Sequence, residues 1–189
     1  MRQLDRFDQE RLLAIARRSI ERAVGRPPAD EAEAKTSMPA ALTDPAAAFV
    51  TIHESGELRG CIGMMRFDVP LWINVRDSAR AAALDDPRFL PVSEPELPHL
   101  ELEISVLDPP VEIADAAEFV VGRHGIIVRR GGHQALLLPQ VAGEMGWTEV
   151  QMLDAVCRKA NLPHDVWRDP ATILSVFESV CFSEATQTG

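Results

Sequence analysis

Leu58-Arg59-Gly60-Cys61-Ile62-Gly63 is the stretch of this chain best equipped for chemistry. A cysteine thiolate is a nucleophile, and the flanking Gly60 and Gly63 leave the backbone uncluttered, so a ligand or another chain segment can come close. Alternate side chains of a strand share a face, which puts Arg59 and Cys61 on one side, about 7 Å apart. A guanidinium at that range favours thiolate over thiol. What faces Cys61 from the preceding strand depends on the turn. A two- or four-residue loop brings Val50 and Ile52 to its face, as suits a buried structural cysteine. A three-residue loop brings Thr51 and His53, offering a base beside the thiol.

Other reactive side chains are more scattered. Cys157 and Cys181 read as core packing, one mid-helix and one in the last strand. No CxxC pair exists, which removes a zinc knuckle or a thioredoxin-type site. Three widely spaced cysteines in a reducing compartment are expected as free thiols. The five histidines, His53, His99, His124, His133 and His164, show no HxH or HExxH spacing, so no metal is expected. His124 stands where a second hairpin begins. Glu101 and Glu103 share a strand face, as paired carboxylates or as a solvated edge. There is no GxGxxG, Walker loop, GxSxG or CxxxCxxC motif, so no cofactor is expected.

These residues need elements to hold them. Apolar residues at Leu12, Leu13, Ile15, Ala16, Ile20 and Ala23 form a helical stripe over 7–24, ending at Gly25 and Pro27-Pro28. Residues 25–45 lack any period and read as an irregular connection. Phe49 to His53 is β-rich, Ser55-Gly56 signals a turn, and Glu57 to Ile62 runs back as a hairpin. Leu71 to Leu84 is a helix stopped by Asp86-Pro87. Leu100 to Leu107 alternates apolar and polar, as a strand with one buried face does. A second hairpin follows at Gly125–Arg130 and Gln134–Leu138. Helices come at about 139–145 and 148–160, the latter with Thr148 and Gln151 in a capping-box pattern and Asn161 suited to a left-handed end. Thr172 to Phe182 reads as one strand. Hairpin, helices, strand, twice over, predicts an α+β fold of two lobes with mainly antiparallel sheets. Lobe one covers about 5–110, lobe two about 111–184, and 185–189 form a disordered tail.

Composition narrows the function classes. The 189 residues are 46% hydrophobic and 25% charged, ordinary for a globular chain. No window approaches the roughly 18 apolar residues that span a bilayer, and Met1 to Glu10 lacks the apolar core of a signal peptide. A cytoplasmic location without membrane association is expected. The net charge of −10 repels phosphate backbones, so no nucleic acid is expected. Arg129-Arg130, the only Arg-Arg doublet outside the first helix, falls at a hairpin tip and reads as a solvated turn.

Phe49-Val50-Thr51-Ile52, Leu58 to Gly63, Asp86-Pro87-Arg88-Phe89, Glu103 to Leu107, His124-Gly125-Ile126, Leu138 to Val141, Lys159-Ala160 and Phe182-Ser183-Glu184 occur in order. Together they resemble the AMMECR domain family, whose bacterial and archaeal members are called AmmeMemoRadiSam system protein A. The resemblance covers about residues 5–184. It implies an α+β fold of two interlocked lobes and a functional cysteine at Cys61. The site residues it implies are Thr51, Arg59, Cys61, Asp86, Arg88, Glu101, His124, Gln140 and Lys159. It also implies partnership with a Memo-like protein and a radical-SAM protein. Asn161 departs from the glycine more usual after Lys-Ala, and both residues accept positive φ.

Three readings follow. In the first, Cys61 is a nucleophile or covalent carrier, Arg59 lowers its pKa and binds an anionic group, and His124 or Glu101 serves as acid or base. In the second, a groove between the lobes holds a small anionic ligand or a partner protein without catalysis, lined by Thr51, Gly60, Asp86, Arg88, Gln140 and Lys159. In the third, the glycines make a tight joint that Cys61 fills.

Overall fold

The computed structural model describes residues 3–25 and 38–187. Of the irregular connection expected over 25–45, residues 26–37 therefore lie outside the described residues. In chain order the first elements are α1 (Arg6–Ala23), α2 (Ala40–Thr43), β1 (Ala47–Glu54), β2 (Glu57–Met64), α3 (Leu71–Leu84) and β3 (Leu100–Leu107). They are followed by β4 (Val111–Ile113), β5 (Gly125–Arg130), β6 (His133–Leu137), α4 (Pro139–Met145) and α5 (Glu149–Lys159). β7 (Ile173–Phe177), β8 (Ser179–Ser183) and α6 (Glu184–Gln187) close the chain. Short 3-10 turns link several of them.

The chain forms two α+β units. One comprises Arg2–Leu107 with Val180–Gly189, the other Asp108–Ser179. In the first, the strand order is β2-β1-β3-β8, and α1 and α3 pack on one face of that sheet. The alternation of β1 and β3 decides which face. Val50, Ile52, Leu102 and Ile104 are fully buried against Leu12, Ile20, Val75 and Ala79 of the helices. Each such aliphatic side chain contributes about 1.5–3 kcal/mol by leaving water. The polar residues between them, Thr51, His53, Glu101 and Glu103, are thereby turned to the other face. Asp5 caps α1 by accepting the Asp8 N–H at 2.8 Å.

The second unit has the order β4-β7-β5-β6, with α5 packed on β5 and β6. Thr148 and Gln151 cap α5 reciprocally, as their spacing implies, and Asn161 leaves the helix at φ 58°. Ile126, Val128, Met152, Val156, Cys157 and Leu174 make its core.

Both sheets follow one plan. Each has a hairpin whose first strand also pairs with the strand that follows the helices: β2-β1-β3 and β6-β5-β7. The fourth strands are exchanged. β3 runs through Pro109-Pro110 into β4 of the second sheet, and β7 runs through Glu178 into β8 of the first. This exchange carries the chain from the first sheet to the second and back. It also corrects two expectations, since the strand read over 172–182 is two strands in different sheets, and its second half returns to the first unit. Of the residues expected as a disordered tail, 185–187 continue a helical turn that starts at Glu184, which accepts the Leu102 N–H at 2.9 Å and pairs with Arg17. Among the described residues, no helix is long and apolar enough to cross a membrane.

Candidate functional site

Ser55 and Gly56, at φ 53° and 83°, make the two-residue hairpin turn between β1 and β2. A two-residue loop alone would set Thr51 opposite Gly60. Instead Glu54 pairs with Glu57 and His53 with Leu58, and then a bulge leaves Arg59 extra, so that Ile52 pairs with Gly60 and Thr51 with Cys61. The bulge thus delivers the partner expected of a three-residue loop. On the face away from the helices, Cys61 of β2, Thr51 of β1 and Glu103 of β3 lie in one row, with Leu58, His53 and Glu101 in the next. The carboxylate in register with the thiol is therefore Glu103, which the site residues expected from sequence omit. Glu101 sits opposite His53. The Thr51 hydroxyl donates to Cys61 Sγ at 3.3 Å.

Cys61 turns its main-chain N–H and C=O outward from the sheet, because β2 is an edge strand and Thr51–Cys61 is not a hydrogen-bonded pair. The segment after α3 supplies what that edge lacks. Asp86 Oδ2 accepts the Cys61 N–H at 2.9 Å. The same carboxylate accepts from Arg88 through Nε at 3.0 Å, Nη2 at 2.7 Å and the main-chain N–H at 3.1 Å. Arg88 Nη2 also approaches Cys61 O at 3.4 Å. The Asp86 side chain is 2% exposed and that of Arg88 54%. The Arg88 guanidinium holds the Asp86 carboxyl far below the usual carboxylate range, overcoming burial, and the Cys61 N–H adds to the effect.

Arg59 does not serve the thiol. Its Nε donates to Glu96 at 2.7 Å, Nη1 to Leu90 O at 2.9 Å and Nη2 to Pro91 O at 3.4 Å. The extra backbone residue at the bulge re-aims this side chain to the segment that carries Asp86 and Arg88. Arg59 therefore clamps that segment, and Arg88 is the guanidinium beside Cys61. The pair is mostly buried, and Arg59 holds the Glu96 carboxyl down to about 2, aided by Ser93. Gly60 is also placed differently from a ligand contact. It faces α3, where a Cβ would stand 2.3 Å from the Ala82 carbonyl oxygen. Gly63 is covered by the Phe49 ring, 2.2 Å from where its Cβ would be. Another chain segment, rather than a ligand, uses both openings.

The AMMECR1 family model matches residues 13–182. This chain belongs to the AMMECR1 family. A protein of Nanoarchaeum equitans is 39% identical over 180 residues, covering 92% of this chain and 98% of the relative. One of Methanopyrus kandleri is 43% identical over 157 residues, covering 78% of this chain and 76% of the relative. The crystal structure of an uncharacterized protein from Pyrococcus horikoshii is similar at 38% identity with a TM-score of 0.84, covering 93% of this chain and 90% of that one.

In this AMMECR1-family chain, Thr51, Arg59, Gly60, Cys61, Asp86, Arg88 and Glu101 all belong to the first unit, whereas His124, Gln140 and Lys159 belong to the second. His124 is half-buried in the turn before β5, where Nδ1 accepts the Val120 N–H at 3.1 Å. Gln140 lies in the first turn of α4, and Lys159 is the exposed last residue of α5. Cys157 is buried, and burial pushes its thiol up. Cys181 is exposed, contrary to the core role read from sequence, because Phe182 takes the buried position of β8. Arg129 and Arg130 end β5 instead of forming the turn; Arg129 is exposed, while Arg130 pairs with Asp169 at 2.7 Å. Among the described residues no group of three His, Cys, Asp or Glu side chains is placed to hold a metal.

Proposed function

We propose that this AMMECR1-family protein is a cytoplasmic cysteine-centred enzyme or enzyme component working with Memo-like and radical-SAM partners. Cys61 would be its nucleophile or covalent carrier. The observation that carries this reading is the Thr51 hydroxyl donating to a half-buried Cys61 Sγ whose main chain is fixed by Asp86. A donor on sulfur favours the thiolate. In the step that follows, Sγ forms a bond to an electrophilic acyl or alkyl carbon as the leaving group departs with its bonding pair, and the thiol proton passes to water. A nucleophile from a partner then takes that carbon, and the sulfur leaves with the electron pair.

The test is iodoacetamide alkylation of a Cys181→Ser variant at neutral pH, followed by mass spectrometry. Cys61 is expected to react faster in the native chain than in urea-unfolded chain. A Cys61 that reacts only after unfolding would remove the nucleophile reading. The exposure of Arg88 favours a second reading, a non-catalytic site for a small anionic ligand or a partner protein. Under it, Cys61→Ser retains binding to coexpressed Memo-like or radical-SAM protein, and Arg88→Ala loses it.

A further inference from the structure

We infer that Asp86 and Arg88 form one positioning unit, which ties the Cys61 main chain to the sheet edge and sets the electrostatic surroundings of its sulfur. The inference rests on the reading of Cys61 as a reactive thiol and adds how that thiol is controlled. Three observations converge. Asp86 is the buried hub, since one carboxylate accepts the Cys61 N–H and three bonds from Arg88. The guanidinium closes the circuit by reaching Cys61 O. The strand edge, which would otherwise present an unpaired N–H and C=O at Cys61, is thus completed by an ion pair instead of another strand.

The segment holding that pair is fixed independently. Arg59, two residues before the cysteine, clamps it through Glu96 and the Leu90 and Pro91 carbonyls. Hairpin and segment are therefore joined at Arg59 as well as at Cys61. One consequence concerns the kind of chemistry open to the sulfur. The Cys61 N–H donates to a carboxylate and so is not available to a developing oxyanion, the role that a nucleophile's own N–H often plays in acyl transfer. The exposed Arg88 guanidinium is the donor left on that side.

A negative and a positive charge both bond the main chain of the residue that carries Sγ, so removing either has a sign. Arg88→Gln leaves the Asp86 carboxylate uncompensated and disfavours thiolate. Asp86→Asn keeps an oxygen for the Cys61 N–H but leaves Arg88 uncompensated, and favours thiolate. A purely structural pair would lower stability in both variants without opposite effects on the sulfur.

The experiment measures iodoacetamide alkylation of Cys61 against pH in the Cys181→Ser background, for the parent and for Arg88→Gln, Arg88→Lys and Asp86→Asn. At neutral pH, Arg88→Gln is expected to slow alkylation by about three- to tenfold and move the profile to higher pH, by about half a unit to one unit. Arg88→Lys restores most of the rate, and Asp86→Asn accelerates it. Equal rates in parent and Arg88→Gln, or the same direction in Arg88→Gln and Asp86→Asn, would overturn the inference. Should Asp86→Asn not fold, the comparison of Arg88→Gln with Arg88→Lys decides alone. A parent whose Cys61 is inert until unfolded marks failure of the underlying reading instead.

Discussion

The Thr51 hydroxyl meets Cys61 Sγ across 3.3 Å only because Arg59 is an extra residue in β2. Without the bulge, the two-residue turn would put Gly60 opposite Thr51 and turn Cys61 to the helix side. The pairing is also of the non-hydrogen-bonded kind, in which opposite side chains come closer together. One inserted residue thus decides whether the thiol is a core group or a surface one.

Replacing Thr51 by valine keeps the shape and removes the donor. A hydrogen bond of this kind is worth about 0.5–1.5 kcal/mol, so Cys61 alkylation at neutral pH should slow by about two- to tenfold. Thermal stability should hardly change, since valine suits a strand. An alkylation rate equal to the parent's would mean that Thr51 does not act on the sulfur.

Gly60→Ala tests the packing side of the same hairpin. The new Cβ would lie 2.3 Å from the Ala82 carbonyl, a backbone atom that cannot turn away. A loss of about 3 kcal/mol is expected in urea unfolding. Gly63→Ala meets the Phe49 ring, which can rotate, and should cost about 1–2 kcal/mol. The reverse order would show that β2 and α3 are less tightly joined than their contact implies.

The elements α1, β1, β2, α3 and β3 of the first unit were legible because local signals agreed. The Leu71–Leu84 helix and the Leu100–Leu107 strand match their expected bounds. The register between β1 and β2 was not legible, because nothing in Leu58-Arg59-Gly60 distinguishes a bulge from a longer turn. Spacing also misassigned Arg59. Two residues from Cys61 in a regular strand is a shared face, but at a bulge the side chain is redirected, here to Glu96. Asp86 and Arg88 were placed in the site only through resemblance. Their bonds to Cys61 cross a helix in sequence and have no local signature. The division of 172–182 was hidden because two consecutive strands in different sheets read as one β-rich run. Cys181 was misread for a related reason, since the period of a strand does not say which phase is buried.

The three cysteines should separate by accessibility. In the native protein Cys181 is expected to react with a disulfide reagent first and Cys157 only on unfolding. Cys61 is half-buried, and its place in that order measures its reactivity rather than its exposure alone. Two fast thiols and one slow one, identified by mass mapping, is the expected pattern. Labelling of Cys157 in folded protein would contradict its place in the α5 core.

Acid should loosen the clamp on the Asp86 segment in a defined window. Arg59 holds the Glu96 carboxyl down to about 2, against 4.5 for the free group. A carboxyl whose folded value is depressed stabilises the fold fully above its unfolded value and loses that contribution as pH falls through the folded one. Stability tied to Glu96 is therefore present at pH 7 and disappears between about pH 4.5 and pH 2, on the order of 1–3 kcal/mol. Asp86, also depressed, contributes in the same direction. Glu96→Gln should be less stable than the parent at pH 7, and the difference should narrow as pH falls toward 3. Urea unfolding at both pH values measures this. If the gap between variant and parent is as wide at pH 3 as at pH 7, the Arg59–Glu96 pair is not what fastens the segment to the hairpin.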